Sequence, residues 1–514
     1  MRRVCSVATV RRAEARAGVA EPVLMQRAAA ALAGLCADLL RTGRGRVRGA
    51  RVVGLVGSGN NGGDALWALS FLAARGVAAT AVGELPRMHA EGAAAARAAG
   101  VRFLDWADAH VGAACAGADL ALDGIVGIGG SGGLREPSAS VVRELMWAGV
   151  PIVAVDVPSG VDSDTGEVTA ADDGAAVRAM ATACFGVLKP GLVLAPGRDH
   201  AGVVTVMEIG LRAADLEPAA MALELADLAL APPDPGTHKY RRGVVGVTAG
   251  GAMYPGAAVL AVGGARRAGA GMVTFSAGGS PTVGQVTAAA ADPVAALVSA
   301  RFPDVVHSGT RHVDARCIGP GLGAGPAALE STMRALEDPT ALVVDASGLD
   351  ALGTAAGRAA LAQRREAGLI TVLTPHSGEF TRLGYEISGG TLRAAQRAAA
   401  DLGCVLVLKG PATVVAAPGG TAFVDSFGSA ALATAGTGDV LAGLLAGMLA
   451  GAVAGTRAQA DRPPTNDEVA LVAARAVGLH GLAGRLAAAR VNQPTAADVL
   501  AELPQALAAA ATAD

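Results

Sequence analysis

The feature that most restricts this chain is a unit that recurs along it: a short apolar run, a glycine-rich turn, then a small-residue helix. Arg51 to Gly57 reads as a buried strand and runs into Ser58-Gly59-Asn60-Asn61-Gly62-Gly63-Asp64, with a helix from Ala65 to Arg75. Ala118 to Asp123 and Pro151 to Val155 repeat the pattern. The first ends in Asp123 and a loop, Gly127-Ile128-Gly129-Gly130-Ser131-Gly132-Gly133; the second ends in Asp156-Val157-Pro158-Ser159-Gly160. Strands that alternate with helices build parallel sheets covered on both faces, and their polar turns then gather on one sheet edge. The expected class is α/β, with a Rossmann-like three-layer α/β/α first half.

The second half repeats the rule with different turns. Val244 to Thr248, Met272 to Phe275, Leu342 to Asp345 and Val405 to Leu408 read as strands, and 216–235 as a Pro- and acid-rich linker. The expected domains are therefore 1–215 and 236–514. At the far end, Ala433 to Gly447 reads Ala-Thr-Ala-Gly-Thr-Gly-Asp-Val-Leu-Ala-Gly-Leu-Leu-Ala-Gly. Gly436 and Gly438 permit positive φ and close approach of a ligand, and a helix start offers unpaired N–H groups and the positive end of its dipole. A phosphate suits that position, and Asp439 beside it suits proton abstraction from a hydroxyl. An ordinary helix with an Asp cap and close-packed glycines is the alternative. Lys409, at the end of an apolar strand, is costly to bury unless an anion meets it, and a phosphate would serve. His376 is either a hydrogen-bonded structural histidine or a substrate contact, and Glu379 either a polar site group or a helix cap. Asp156 reads as an acid/base on a stiff turn or as an Asx-turn acid, and Asn60-Asn61-Gly62-Gly63 as a ligand loop or as plain turn chemistry.

Composition narrows the function. The chain has 514 residues and a formal charge of −3, and no basic stripe points to nucleic acid or an anionic membrane. Its six cysteines are scattered without a Cys-x-x-Cys pair, which argues against disulfides and thiolate zinc and fits a reducing, cytoplasmic setting. The apolar run Val440 to Thr456 falls short of the roughly 20 residues needed to cross a bilayer, so no membrane association is expected.

Gly59-Asn60-Asn61-Gly62-Gly63-Asp64, Asp123 with its glycine loop, Asp156-Val157-Pro158-Ser159-Gly160-Val161-Asp162 and Phe185-Gly186-Val187-Leu188-Lys189-Pro190-Gly191 resemble the NAD(P)H-hydrate epimerase domain, in the family's order. Ala65 and Gly127-Ile128-Gly129 depart from the usual glycine and Gly-Thr-Gly. The resemblance implies that Asn60, Asn61, Gly62, Gly63 and Asp64, with Gly127, Ile128, Gly129, Gly130, Ser131, Gly132 and Gly133, bind the hydrated dinucleotide. It also implies a K⁺ ion on Asn61, Asp123 and Ser159, and Asp156 as substrate contact and catalytic residue. Tyr254-Pro255-Gly256-Ala257, Gly319-Pro320-Gly321-Leu322-Gly323, Thr374-Pro375-His376-Ser377-Gly378-Glu379-Phe380 and Gly436-Thr437-Gly438-Asp439 are similar to the ribokinase-like ADP/ATP-dependent NAD(P)H-hydrate dehydratases. That similarity implies Ala257, Gly321, His376 and Asp439 as hydrate contacts, Asp439 also being catalytic. It implies Lys409, Gly410, Pro411, Ala412, Thr413 and Gly438 as nucleotide contacts, and Mg²⁺ arriving with ADP or ATP. The implied substrates are NADHX and NADPHX, with ADP the expected cosubstrate and a homo-oligomer the expected assembly. Rival readings are a hydroxymethylpyrimidine- or thiazole-type kinase fused to a binding domain, and a non-catalytic first half.

Overall fold

A computed structural model describes residues 1–513, except 131, 169–175, 234, 279–291 and 308–311. The chain divides into two compact units, Arg2–Ala220 and Met221–Asp514. The stretch 216–235, expected as a linker, is partly ordered structure: it holds a short strand, Ala220–Ala222, and a 3₁₀ turn, Leu225–Leu228.

In the first unit, helix α1 (Glu21–Arg44) precedes the sheet. The strands are β1 (Arg51–Val56), β2 (Ala78–Gly83), β3 (Arg102–Leu104), β4 (Leu120–Gly124), β5 (Ile152–Val155), β6 (Ala181–Phe185) and β7 (Val203–Met207). They lie in the order β3-β2-β1-β4-β5-β6-β7, all parallel. β4, β5 and β6 are buried along their whole length, as the continuous apolar runs require for strands covered on both faces. The order reverses between β1 and β4, so the turns after these two strands open a crevice at the carboxyl edge.

Helix α2 (Asn60–Ala74) corrects the expected boundary. Asn60-Asn61-Gly62-Gly63 is the first helical turn, not a loop before a helix at Ala65. Its glycines answer to packing. A Cβ at Gly62 would stand 2.1 Å from the Gly57 carbonyl oxygen, and one at Gly63 would stand 3.0 Å from Met25 and His89.

The second unit's strands are β8 (Ala220–Ala222), β9 (Val244–Ala249), β10 (Met272–Ala277), β11 (Val306–His307), β12 (Ala315–Ile318), β13 (Ala341–Val344), β14 (Thr371–Leu373), β15 (Val405–Leu408), β16 (Val414–Ala416) and β17 (Ala422–Val424). Their order is β8-β17-β16-β15-β14-β13-β12-β9-β10-β11, with antiparallel pairing only at β15–β16 and β16–β17. Helices α3 (Pro255–Arg267), α4 (Ser377–Arg382), α5 (Thr437–Ala460) and α6 (Asn466–Arg490) position the site.

α5 and α3 approach until backbone meets backbone. A Cβ at Gly443 would lie 1.8 Å from the Ala261 oxygen, and one at Gly264 would lie 2.2 Å from the Val440 oxygen. This contact uses the Gly/Ala richness of both helices. α5 is 24 residues long, so the expectation that its apolar run is too short to cross a membrane is corrected. By length and composition α1, α5 and α6 all reach that threshold, and two thirds of the apolar windows of α5 and α6 are buried inside the protein. Burial in the unit's own core accounts for this apolarity.

Candidate functional site

The first unit holds a cavity of about 760 Å³ over the β1–β4 crevice. Ser58, Gly59, Asn60, Asn61 and Asp64 line it from the β1 side, Ile125 to Gly130 from the β4 side, and Asp156 and Phe185 from the neighbouring strands. Gly62 and Gly63 pack beneath it, and Gly132 and Gly133 are not among its lining; Ser131 lies outside the described residues.

Asp156 sits just past β5 with φ +67°, a conformation that Asp tolerates better than most residues. Its Oδ1 accepts from Phe185 N at 2.9 Å and from the Lys189 ammonium. Lys189 is 1% exposed and also donates to the Phe185 oxygen at 2.8 Å. Burial opposes the ammonium charge, but Asp156, with help from Cys184 and Glu14, outweighs it and holds the Lys189 pKa above its usual value.

Asp123 closes β4 with its side chain fully buried. One oxygen accepts from the Ser159 hydroxyl at 2.6 Å, the other from Ser159 N at 2.7 Å, and burial still pushes its pKa up to about 6. The Asn61 amide lies against Gly127, where a Cβ would be 3.0 Å from its Oδ1, and its buried Nδ2 has no hydrogen-bond partner. Asn60 instead donates to Glu21 Oε1 at 2.5 Å.

In the second unit the turns after β9, β12, β13, β14 and β15 meet at one edge of the sheet, because these strands are adjacent and parallel. Gly250 N donates to the Pro320 oxygen at 2.8 Å. Gly321 takes φ +62° and approaches Ala257 so closely that a Cβ there would be 2.5 Å from the alanine methyl. His376 caps α4. Its Nδ1 accepts from Gly378 N at 3.0 Å and Glu379 N at 3.2 Å, and Glu379 Oε2 accepts from His376 N at 2.8 Å. With Nδ1 accepting, Nε2 is the ring nitrogen left to donate, and it lies 3.4 Å from Glu379 Oε1. The histidine is a structural cap and still presents a donor.

Lys409 N pairs with the Pro375 oxygen at 2.8 Å, so β15 delivers the lysine beside His376. Its position calls for an anion, and a phosphate would serve. The protein itself supplies an anion: Nζ stands 2.6 Å from Asp345 Oδ1 and 3.8 Å from Glu379 Oε2. Burial alone would lower the Lys409 pKa; Asp345, Glu379 and Asp439 outweigh it and raise it.

Gly436 is the N-cap of α5 at φ +92°, and no side chain caps its free N–H groups. Of the two glycines free to take positive φ, Gly436 does so and Gly438 lies inside the first helical turn, where a Cβ would stand 3.6 Å from Lys409 Nζ. Asp439 is half-buried, and burial, then Asp345, push its pKa up to about 7 against the pull of Lys409. Gly410 and Pro411 are exposed in the next turn, whereas Ala412 and Thr413 are buried. A carboxyl group, an ammonium group and open helix amides thus converge at one point.

Two family models divide the chain: residues 21–191 match the YjeF-related protein N-terminus and 245–505 the NAD(P)H-hydrate dehydratase family. The chain is 43% identical to the bifunctional NAD(P)H-hydrate repair enzyme Nnr of Mycobacterium leprae, over 86% of this chain and 88% of that one. It belongs to the family of bifunctional NAD(P)H-hydrate repair enzymes. A more distant member, from Thermofilum pendens, is 32% identical over 97% of this chain and 94% of its own. Among solved structures, the ADP/ATP-dependent NAD(P)H-hydrate dehydratase of Bacillus subtilis, co-crystallised with ATP/Mg²⁺, is 26% identical. It covers 55% of this chain and 94% of its own, with a TM-score of 0.42.

In this member of the family two charged groups at the centres of the sites escaped sequence reasoning. Lys189 stands within the Phe185–Gly191 motif and Asp345 at the end of a strand, and neither is assigned a role by the sequence. Both carried the signal used for Lys409, a charge closing an apolar run.

Proposed function

We propose that the chain restores hydrated NADH and NADPH in two steps. The first unit interconverts the R and S hydrates, and the second removes water from the S hydrate at the expense of ADP or ATP. The observation that carries this reading is the second unit's cluster, in which the Asp439 carboxyl shares one helix start with uncapped amides and the Lys409 ammonium.

Hydroxide is a poor leaving group, and phosphorylation makes it a good one. Asp439 takes the proton of the ring hydroxyl as that oxygen attacks the terminal phosphoryl group. The α5 amides and Lys409 stabilise charge in transfer. With a pKa near neutrality Asp439 is a stronger base than an ordinary carboxylate, yet ionised in useful amount. His376 Nε2 and the small Ala257–Gly321 pair shape the hydrate side, and Lys409 to Thr413 with Gly438 the nucleotide side. Mg²⁺ would arrive with the nucleotide, carried by its phosphate oxygens.

In the first unit Asp156, held by Lys189, carries a proton in the interconversion of the two epimers. Asn61, Asp123 and Ser159 offer an all-oxygen set that fits K⁺. The buried Asp123 carboxylate, which meets no cation in an ion pair among the described residues, supports that fit, because a cation there would favour its charged form against burial. When bound, K⁺ would supply positive charge that orders the turns after β4 and β5.

The test is to incubate the protein with mixed hydrates, Mg²⁺ and ADP or ATP, following the reduced-nicotinamide absorbance. Nucleotide-dependent recovery is expected. ATP consumption without recovery would mean an ordinary kinase.

A further inference from the structure

The first unit's cavity carries a second carboxyl group, so far treated only as a substrate contact. Asp64, in the second turn of α2, and Asp156, past β5, both line it, and both are more than nine-tenths buried. Their partners differ. Asp156 accepts from the Lys189 ammonium and the Phe185 N–H. Asp64 receives no side-chain hydrogen bond and forms no ion pair among the described residues. The charged groups around it are Glu14 and Arg11 from the helix Val7–Arg16, Glu21 from α1, Asp156, and Lys189, whose ammonium is already bonded to Asp156. One carboxyl has an ammonium partner and the other has none among the described residues.

We propose that Asp64 is the general acid of the epimerisation and works with Asp156, paired to Lys189, as the base of the same reaction. The proposal rests on the epimerase reading of this cavity and names the pair that does the work. Burial, then the charges of Asp156 and Glu14, raise the Asp64 pKa well above the usual carboxyl range, with Lys189 opposing. Two carboxyl groups in one cavity, one paired with an ammonium and one unpaired among the described residues, can divide into base and acid.

The chemistry balances. Hydration of a dihydronicotinamide places the hydroxyl on the ring carbon bonded to the ring nitrogen. Asp64 gives its proton to that hydroxyl as the C–O bond breaks, and water leaves with the bonding pair. The nitrogen lone pair closes a C=N bond, leaving a planar iminium cation between two carboxylates. A water molecule then attacks the other face. The new C–O bond forms, the C=N pair returns to nitrogen, and the surplus proton passes to Asp156. One water leaves, one enters, nothing is oxidised, and proton exchange with solvent resets the pair.

The experiment uses the full chain and one purified epimer without nucleotide, with the two epimers separated by chromatography across a pH series. Asp64→Asn is expected to lower kcat by about 10²- to 10⁴-fold with KM little changed. It should also abolish the fall in rate that the wild type shows as Asp64 loses its proton at high pH. Asp64→Glu is expected to recover part of the rate, and its thermal transition tells a chemical loss from misfolding. The proposal is overturned if Asp64→Asn keeps kcat within threefold, alters only KM, or loses no more than Asp64→Glu does. A wild-type chain that interconverts no epimers would overturn the epimerase reading itself, a separate result.

Discussion

Asp439 and Lys189 show how a single buried charge acts differently according to its partner. Because burial and Asp345 lift the Asp439 pKa to about 7, its base form fills as pH rises through that value. The kcat/KM for nucleotide-dependent recovery is therefore expected to rise across that range and then level off, and a pH–rate profile checks it. The same shift has the opposite sign for stability. The folded state holds this proton more tightly than the unfolded chain, so the contribution of Asp439 declines from the ordinary carboxylate range up to about pH 7. Asp439→Asn should lower recovery by about 10²- to 10⁴-fold and leave the fold intact, as circular dichroism would report. Lys189→Met is a different case. It strands the Asp156 carboxylate in a buried site, so a loss of about 3–5 kcal/mol is expected in urea unfolding, together with loss of epimerisation.

At the scale of elements, the catalytic turns are held by glycines that permit close approach. Gly443→Ala would place a methyl group 1.8 Å from the Ala261 oxygen, so α5 must move away from α3 and carry its first turn with it. The expected cost is about 1–3 kcal/mol. A raised KM for nucleotide should accompany it while epimerisation is unchanged, and steady-state kinetics of both reactions test the pairing. The strands and the α/β alternation were legible because fully buried parallel strands must be continuous apolar runs: Val405–Leu408 was read to the residue. Asn60-Asn61-Gly62-Gly63 was not. Two glycines ordinarily break helices, and only the Gly57 carbonyl, Met25 and His89, distant in sequence or folded back, explain why a helix starts there. The anion beside Lys409 was expected from outside, whereas Asp345 reaches it from 64 residues away along the chain, a pairing that no local pattern reveals.

For the whole molecule, one chain carries two chemistries because a stereospecific dehydration would leave half of a mixed substrate unused. The two centres are built alike: a carboxyl group and a lysine at the carboxyl edge of a parallel sheet, beside the first turn of a glycine-rich helix. The family relationship spans both units, so the pairing of activities is a property of the chain. The decisive measurement is the amplitude of absorbance recovered from mixed R and S hydrates with Mg²⁺ and ADP or ATP, for the wild type and Asp156→Asn side by side. Complete recovery is predicted for the wild type, and a plateau at the S share for the variant on the same time scale. Complete recovery by Asp156→Asn at the wild-type rate, or none by the wild type, would contradict two-step repair.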